Sequence, residues 1–124
     1  MDKTEQENSS EAIGYWEGEH LESTKRYAYR PEFLPLMMDY LGAEPGQRIL
    51  DVGCGTGFLA RLLATRLEDV QVVGLEGDDE LLRLGRQKLV MEGLTDRVEL
   101  KKGDAYALPF PDKSFDLVTS HTLL

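Results

Sequence analysis

Short apolar runs alternate along this chain with stretches in which apolar residues return every third or fourth position, and this alternation predicts its elements. From Pro31, the residues Phe33, Leu36, Met37, Tyr40 and Leu41 recur at helical spacing, with proline in the first turn and Gly42 at the end. A helix is expected there. "AEPGQ" at 43–47 reads as a turn, and "RILDV" at 48–52 as a short buried strand. The glycine-rich stretch 53–57 is then a loop, and Leu59, Leu62, Leu63 and Leu67 mark an amphipathic helix behind it. "VQVVGL" at 70–75 is a second buried strand. Asp78 is placed to cap a second helix whose first turn holds Asp79 and Glu80, where the helix dipole favours negative charge, and Gly93 stops it. "RVELKKG" at 97–103 reads as a third strand, "ALPFPDKS" as a loop and "FDLVTS" at 115–120 as a fourth strand. The first ten residues are polar, and Ser9 and Ser10 stand where they would cap a short helix from Glu11 that Gly14 and Gly18 weaken.

Strands separated by helices of this length imply right-handed crossovers and a mainly parallel sheet. The expected class is therefore α/β: a Rossmann-like three-layer αβα sandwich. Residues 1–45 read as an N-terminal helical cap segment and residues 46–124 as an incomplete half-domain. The chain ends four residues after the fourth strand, so the expectation is a fold truncated there, or one completed by a partner. An open strand edge of this kind gives self-association a route, because its ladder groups lack partners.

Composition narrows the setting. A length of 124 residues suits one domain, and 41% hydrophobic with 30% charged residues is wrong for disorder. Cys54 is the only cysteine, which excludes an intrachain disulfide and any cysteine-based metal site; no metal is expected. No stretch approaches the apolar length of a membrane span, and "MDKTEQENSSEAIGYW" lacks the apolar core of a signal peptide, so the cytoplasm is the expected location. The net charge is −9, and residues 1–22 hold seven acids against one lysine. With no basic stripe elsewhere, a nucleic-acid partner is not expected.

The chemistry lies in "LDVGCGTG" at 50–57. Gly53, Gly55 and Gly57 on alternate positions let the backbone approach a ligand closely, and the following helix offers free N–H groups. A dinucleotide fingerprint GxGxxG would put its last glycine at Phe58, and Asp51 at the entrance would repel a pyrophosphate. A cationic ligand is favoured instead. S-adenosylmethionine meets the pattern, having an ammonium and a sulfonium for carboxylates, a carboxylate for N–H groups, a ribose diol and an adenine.

"ILDVGCGTG" closely resembles the cofactor loop of the class I S-adenosylmethionine-dependent methyltransferases, and the resemblance extends over about 48–124. It implies cofactor contacts from Asp51, Gly53, Cys54, Gly55 and Gly57. Glu76, in "VVGLEGDDELL", then takes the position whose carboxylate accepts from both ribose hydroxyls, with Gly77 beside it. In "GDAYALPFPDKSFDLV", Asp104 would accept from the adenine amino group and the Ala105 N–H would donate to the ring, with Leu75 or Leu108 against its faces. Ser120, at the end of the fourth strand, is a further implied cofactor contact, and His121 follows that strand, near where relatives place groups beside the methyl donor. His121 is the candidate general base, alongside a plain pocket-shaping role. The resemblance also suggests that Tyr15, Trp16, Tyr27 and Tyr29 form part of a lid, against a simple packing role.

"TSHTLL" stands where enzymes that methylate nucleic-acid bases often carry Asn/Asp-Pro-Pro-aromatic, and "LPFPDKSFDLV" is similar to the small-metabolite branch. The expected partner is therefore a small-molecule methyl acceptor, with in-line transfer. Two other readings stay open: a cofactor-binding or regulatory module without chemistry, and an NAD-dependent oxidoreductase.

Overall fold

A computed structural model describes residues 32 and 34–120. The expected helix from Glu11, the aromatics Tyr15, Trp16, Tyr27 and Tyr29, and His121 lie outside the described residues. The elements run α1 (Leu34–Leu41), β1 (Arg48–Val52), α2 (Phe58–Arg66), β2 (Gln71–Glu76), α3 (Asp79–Glu92), β3 (Val98–Lys102) and β4 (Leu117–Thr119). All strand pairs are parallel, in the order β3-β2-β1-β4. Successive strands step to one side of β1, and β4 then returns to the other. The order thus reverses at β1, the kind of switch point beside which open α/β sheets bind ligands.

Strand alternation decides which side chains meet. Ile49 pairs in register with Val72 and Leu117, and Val72 pairs with Val98. This row forms one apolar core with Leu59, Ala60, Leu63 and Ala64 of α2 and Leu82 and Leu89 of α3. Burying each of these larger side chains stabilises the fold by about 1.5–3 kcal/mol. From α1, Met37, Met38 and Leu41 pack on the same core, while Leu36 and Tyr40 are exposed. Leu36 and Tyr40, part of the same helical spacing, sit one helical turn apart on the exposed side.

Both ends of α3 follow their expected chemistry. Asp78 accepts from Glu80 N at 2.9 Å and Leu81 N at 3.1 Å, and Gly93 closes the helix with φ 69.

The other sheet face is covered, among the described residues, by the segment after β3. Arg48 anchors that segment to β1, since its N–H donates to Asp116 Oδ2 (2.8 Å) and its guanidinium to Ser114 O (2.9 Å). Phe110 and Phe115 meet edge to face at 5.0 Å, with Lys101 and Arg48 over their respective rings.

Candidate cofactor site

The loop after β1 is held in a conformation that glycine alone adopts readily. Gly53, Gly55 and Gly57 have φ of 71, 60 and 78. The N–H groups of Gly53 and Cys54 both donate to Leu75 O, at 2.8 and 3.0 Å, and Gly57 N donates to Cys54 O at 2.9 Å. The loop is thereby tied to β2 at one end and leads into α2 at the other.

Glu76, the last residue of β2, joins the loop to the next turn. Its Oε1 accepts from Gly55 N at 2.8 Å, and its Oε2 accepts from Gly77 N at 2.9 Å and Asp78 N at 3.0 Å. Three backbone donors converge on one carboxylate, a strong, charge-assisted set. Beyond it, Gly103 N donates to Glu76 O at 3.1 Å, which brings the end of β3 alongside.

These strand ends enclose a cavity of about 530 Å³, lined by Gly53, Leu75, Gly77, Lys102, Gly103, Asp104 and Ala105. That volume is in the range of roughly 300–1,000 Å³ typical of small-molecule sites. Asp104 Oδ1 accepts from Tyr106 N at 2.9 Å, folding a local turn at the rim. Lys102 Nζ lies 3.0 Å from the Asp79 carboxylate, and both side chains are largely exposed.

The structure thus brings Gly53, Gly77, Asp104 and Ala105 to one cavity, with Glu76 bridging the loop beside it. Cys54, Gly55 and Gly57 are buried behind that wall, and Ser120 is exposed just past β4. Asp51 is placed differently from a carboxylate at the mouth. It is 2% exposed and, by strand alternation, shares the packed face of β1 with Ile49. Leu75 lines the cavity, whereas Leu108 lines a separate cleft with Leu50, Phe110 and Phe115, because its segment crosses to the other sheet face. Lys102 and Gly103 were not singled out by the sequence. The one available signal was their position directly before Asp104 in "KKGDA".

The residues present fit S-adenosylmethionine in kind: a glycine loop with close backbone approach, a carboxylate at the β2 end, an apolar wall at Leu75 and an acceptor at Asp104. Residues 49–124 match the family described as "Methyltransferase domain". The chain is 43% identical over 79 residues to the ubiquinone/menaquinone biosynthesis C-methyltransferase UbiE of Teredinibacter turnerae, which covers 63% of this chain and 32% of that protein. It is 38% identical over 104 residues to the cycloartenol-C-24-methyltransferase of Arabidopsis thaliana, covering 83% of this chain and 29% of the relative. The chain therefore spans about a third of the length of these relatives. In fold it is similar to a structure described as a putative S-adenosyl-L-methionine-dependent methyltransferase from Methanococcus maripaludis. That likeness has a TM-score of 0.74 and 21% identity, over 89% of this chain and 49% of the other. With the glycine loop, the strand order and the family match in agreement, this chain belongs to the class I S-adenosylmethionine-dependent methyltransferase family.

Proposed function

We propose that this chain forms the cofactor-binding part of an S-adenosylmethionine-dependent methyltransferase acting on a small-molecule acceptor. The observation that carries the reading is the Glu76 carboxylate, which fixes Gly55 and Gly77 beside the cavity that Gly53, Asp104 and Ala105 line. When bound, the cofactor supplies a methyl group on a sulfonium. The chain's own residues bind and orient it. Glu76 Oε1, with one backbone donor, retains capacity for ribose hydroxyls, and Asp104, with Oδ1 engaged by Tyr106, leaves its second oxygen for an adenine amino group. Ala105 N–H serves the ring, and Leu75 packs against it. Gly53, Cys54, Gly55 and Gly57 shape the methionine end. Asp51 acts from beneath the loop, where a buried negative charge favours a positively charged ligand.

Ser120, exposed just past β4, is assigned to the cofactor site, and His121, the next residue in the sequence, is the candidate base toward the acceptor. A His121→Ala variant of the whole enzyme that kept its rate across pH 6–9 would exclude that role. Relatives named as C-methyltransferases of quinone and sterol pathways point to an apolar metabolite as acceptor. We also propose that residues 1–45 form an N-terminal cap segment to the domain at 46–124, that the short β4 edge, with Val118 56% exposed, serves self-association, and that the protein is cytoplasmic. Among the described residues no helix is long and apolar enough to cross a membrane.

The test is retention of methyl-labelled S-adenosylmethionine on the folded chain. Displacement by S-adenosylhomocysteine and not by NADH is the expected result. Binding of NADH with no affinity for S-adenosylmethionine would overturn the reading.

A further inference from the structure

Two glycines outside the loop lie against it more closely than any side chain would allow. Gly85 sits in the middle of α3, where glycine is among the poorest choices for a helix. A Cβ there would lie 2.5 Å from Thr56 O, 2.9 Å from Thr56 C and 2.6 Å from Leu100 Cδ1. Gly74 sits inside β2, where glycine weakens a strand and marks close approach by a neighbour. A Cβ at that position would lie 2.7 Å from Cys54 Sγ, 3.0 Å from Cys54 Cβ and 2.8 Å from Leu100 Cδ2.

One side chain fills the space these glycines leave. Leu100 of β3 is 4% exposed and pairs in register with Gly74, which in turn pairs with Asp51, so the three form one row across the sheet. Its methyls also lie 2.9 and 3.3 Å from where a Cβ on Gly57 would stand. The loop, β2 and α3 therefore all close on Leu100. Cys54 and Thr56, the residues resting on this floor, are 1% and 0% exposed.

We propose that Gly74, Gly85 and Leu100 are positioning residues that set the height of the loop 53–57 above the sheet, and through it the affinity of the cofactor site. The inference rests on the reading of that loop as the cofactor site. The loop's entry is tied to Leu75 O and its middle to Glu76 Oε1, so a push at Thr56 has no slack to absorb it. Lifting Thr56 carries Gly55 N away from Glu76, the contact that orders the carboxylate for the ribose.

Two kinds of substitution separate this from a general packing role. Gly85→Ala collides with a backbone carbonyl, so neither Cys54→Ala nor Leu100→Ala relieves it; Gly74→Ala collides with the Cys54 side chain, so Cys54→Ala relieves it in part. Calorimetric titration with S-adenosylhomocysteine is expected to show at least a tenfold loss of affinity for Gly85→Ala and for Gly74→Ala. The Gly74→Ala/Cys54→Ala pair is expected to lie closer to Cys54→Ala alone than Gly74→Ala lies to wild type. Leu89→Ala, which destabilises the same core away from the loop, is expected to lower the melting temperature yet keep the affinity. In the ligand-free protein, the amide resonances of Gly55 and Gly57 should move in both glycine variants and hold in Leu89→Ala.

Affinities within twofold of wild type, with those resonances unmoved, would overturn the inference. So would a double variant with no recovery, which also decides the matter if Gly85→Ala does not fold. If wild type itself binds no S-adenosylhomocysteine, the functional reading falls, and the ligand-free resonances still test the positioning.

Discussion

The two walls of the cavity are built on different terms. On one side, residues 54–57 are buried, and the loop is tied to Leu75 O, to Glu76 and to its own Cys54 O. On the other side, residues 104–109 are exposed, Tyr106 at 98%, and the turn is held by bonds within itself: Tyr106 N to Asp104 Oδ1 and Ala107 N to Asp104 O. The first wall is organised before a ligand arrives, so little ordering cost falls on it at binding. The second owes its shape to three or four local residues. Binding energy should therefore be most sensitive to the loop side, and substitutions on the far side should be milder and leave stability alone.

The largest effect is expected at the joint of the first wall. Glu76→Gln keeps the size but removes the charge that collects three backbone donors, and should weaken S-adenosylhomocysteine about 100-fold, by the loss of one or two charge-assisted bonds. Calorimetry on the folded variant checks this. A loss under threefold would mean that the carboxylate only builds the turn.

Within the loop, Gly57 and Gly53 form a matched pair. Both have left-handed φ, but a Cβ on Gly57 would stand 2.9 Å from Leu100, whereas one on Gly53 meets open space. Gly53→Ala should cost about 1–2 kcal/mol from backbone strain alone, and Gly57→Ala more, read as a larger drop in melting temperature. Equal drops would remove Leu100 from the account.

On the second wall, Asp104→Asn retains the acceptor for Tyr106 N and gives up the charge. A loss of affinity of about tenfold, with an unchanged melting temperature, is expected. Lys102→Ala is the mildest case. The pair with Asp79 is exposed on both sides, and such pairs contribute about 0–1 kcal/mol. Affinity should change by less than about threefold. A larger change would show that Lys102 itself touches the ligand.

The same contrast explains what the sequence could disclose. β1, its glycine loop and α2 were legible because each signal is local: an apolar run, three glycines at left-handed positions and a leucine stripe. The caps of α3 were legible for the same reason, since Asp78 and Gly93 act on neighbouring backbone. Tertiary approach was not legible. In sequence Leu75 and Leu108 are equal candidates for the adenine face, but the Leu108 segment crosses to the other side of the sheet and contributes to a different cleft. Asp51 looked like a mouth residue because it precedes the glycines, although a period of two already put it on the side of Ile49. Gly85 carried no motif at all; only the 2.5 Å approach to Thr56 O gives it meaning.

The most direct measurement is an amide chemical-shift titration of the isotopically labelled chain with S-adenosylhomocysteine. The largest shifts are expected at Gly53, Gly55, Gly77, Asp104 and Ala105, the two walls together, with the exposed Val90 and Met91 of α3 unmoved. Shifts confined to the Leu108–Val118 cleft, or none on a folded sample, would contradict this placement of the cofactor site.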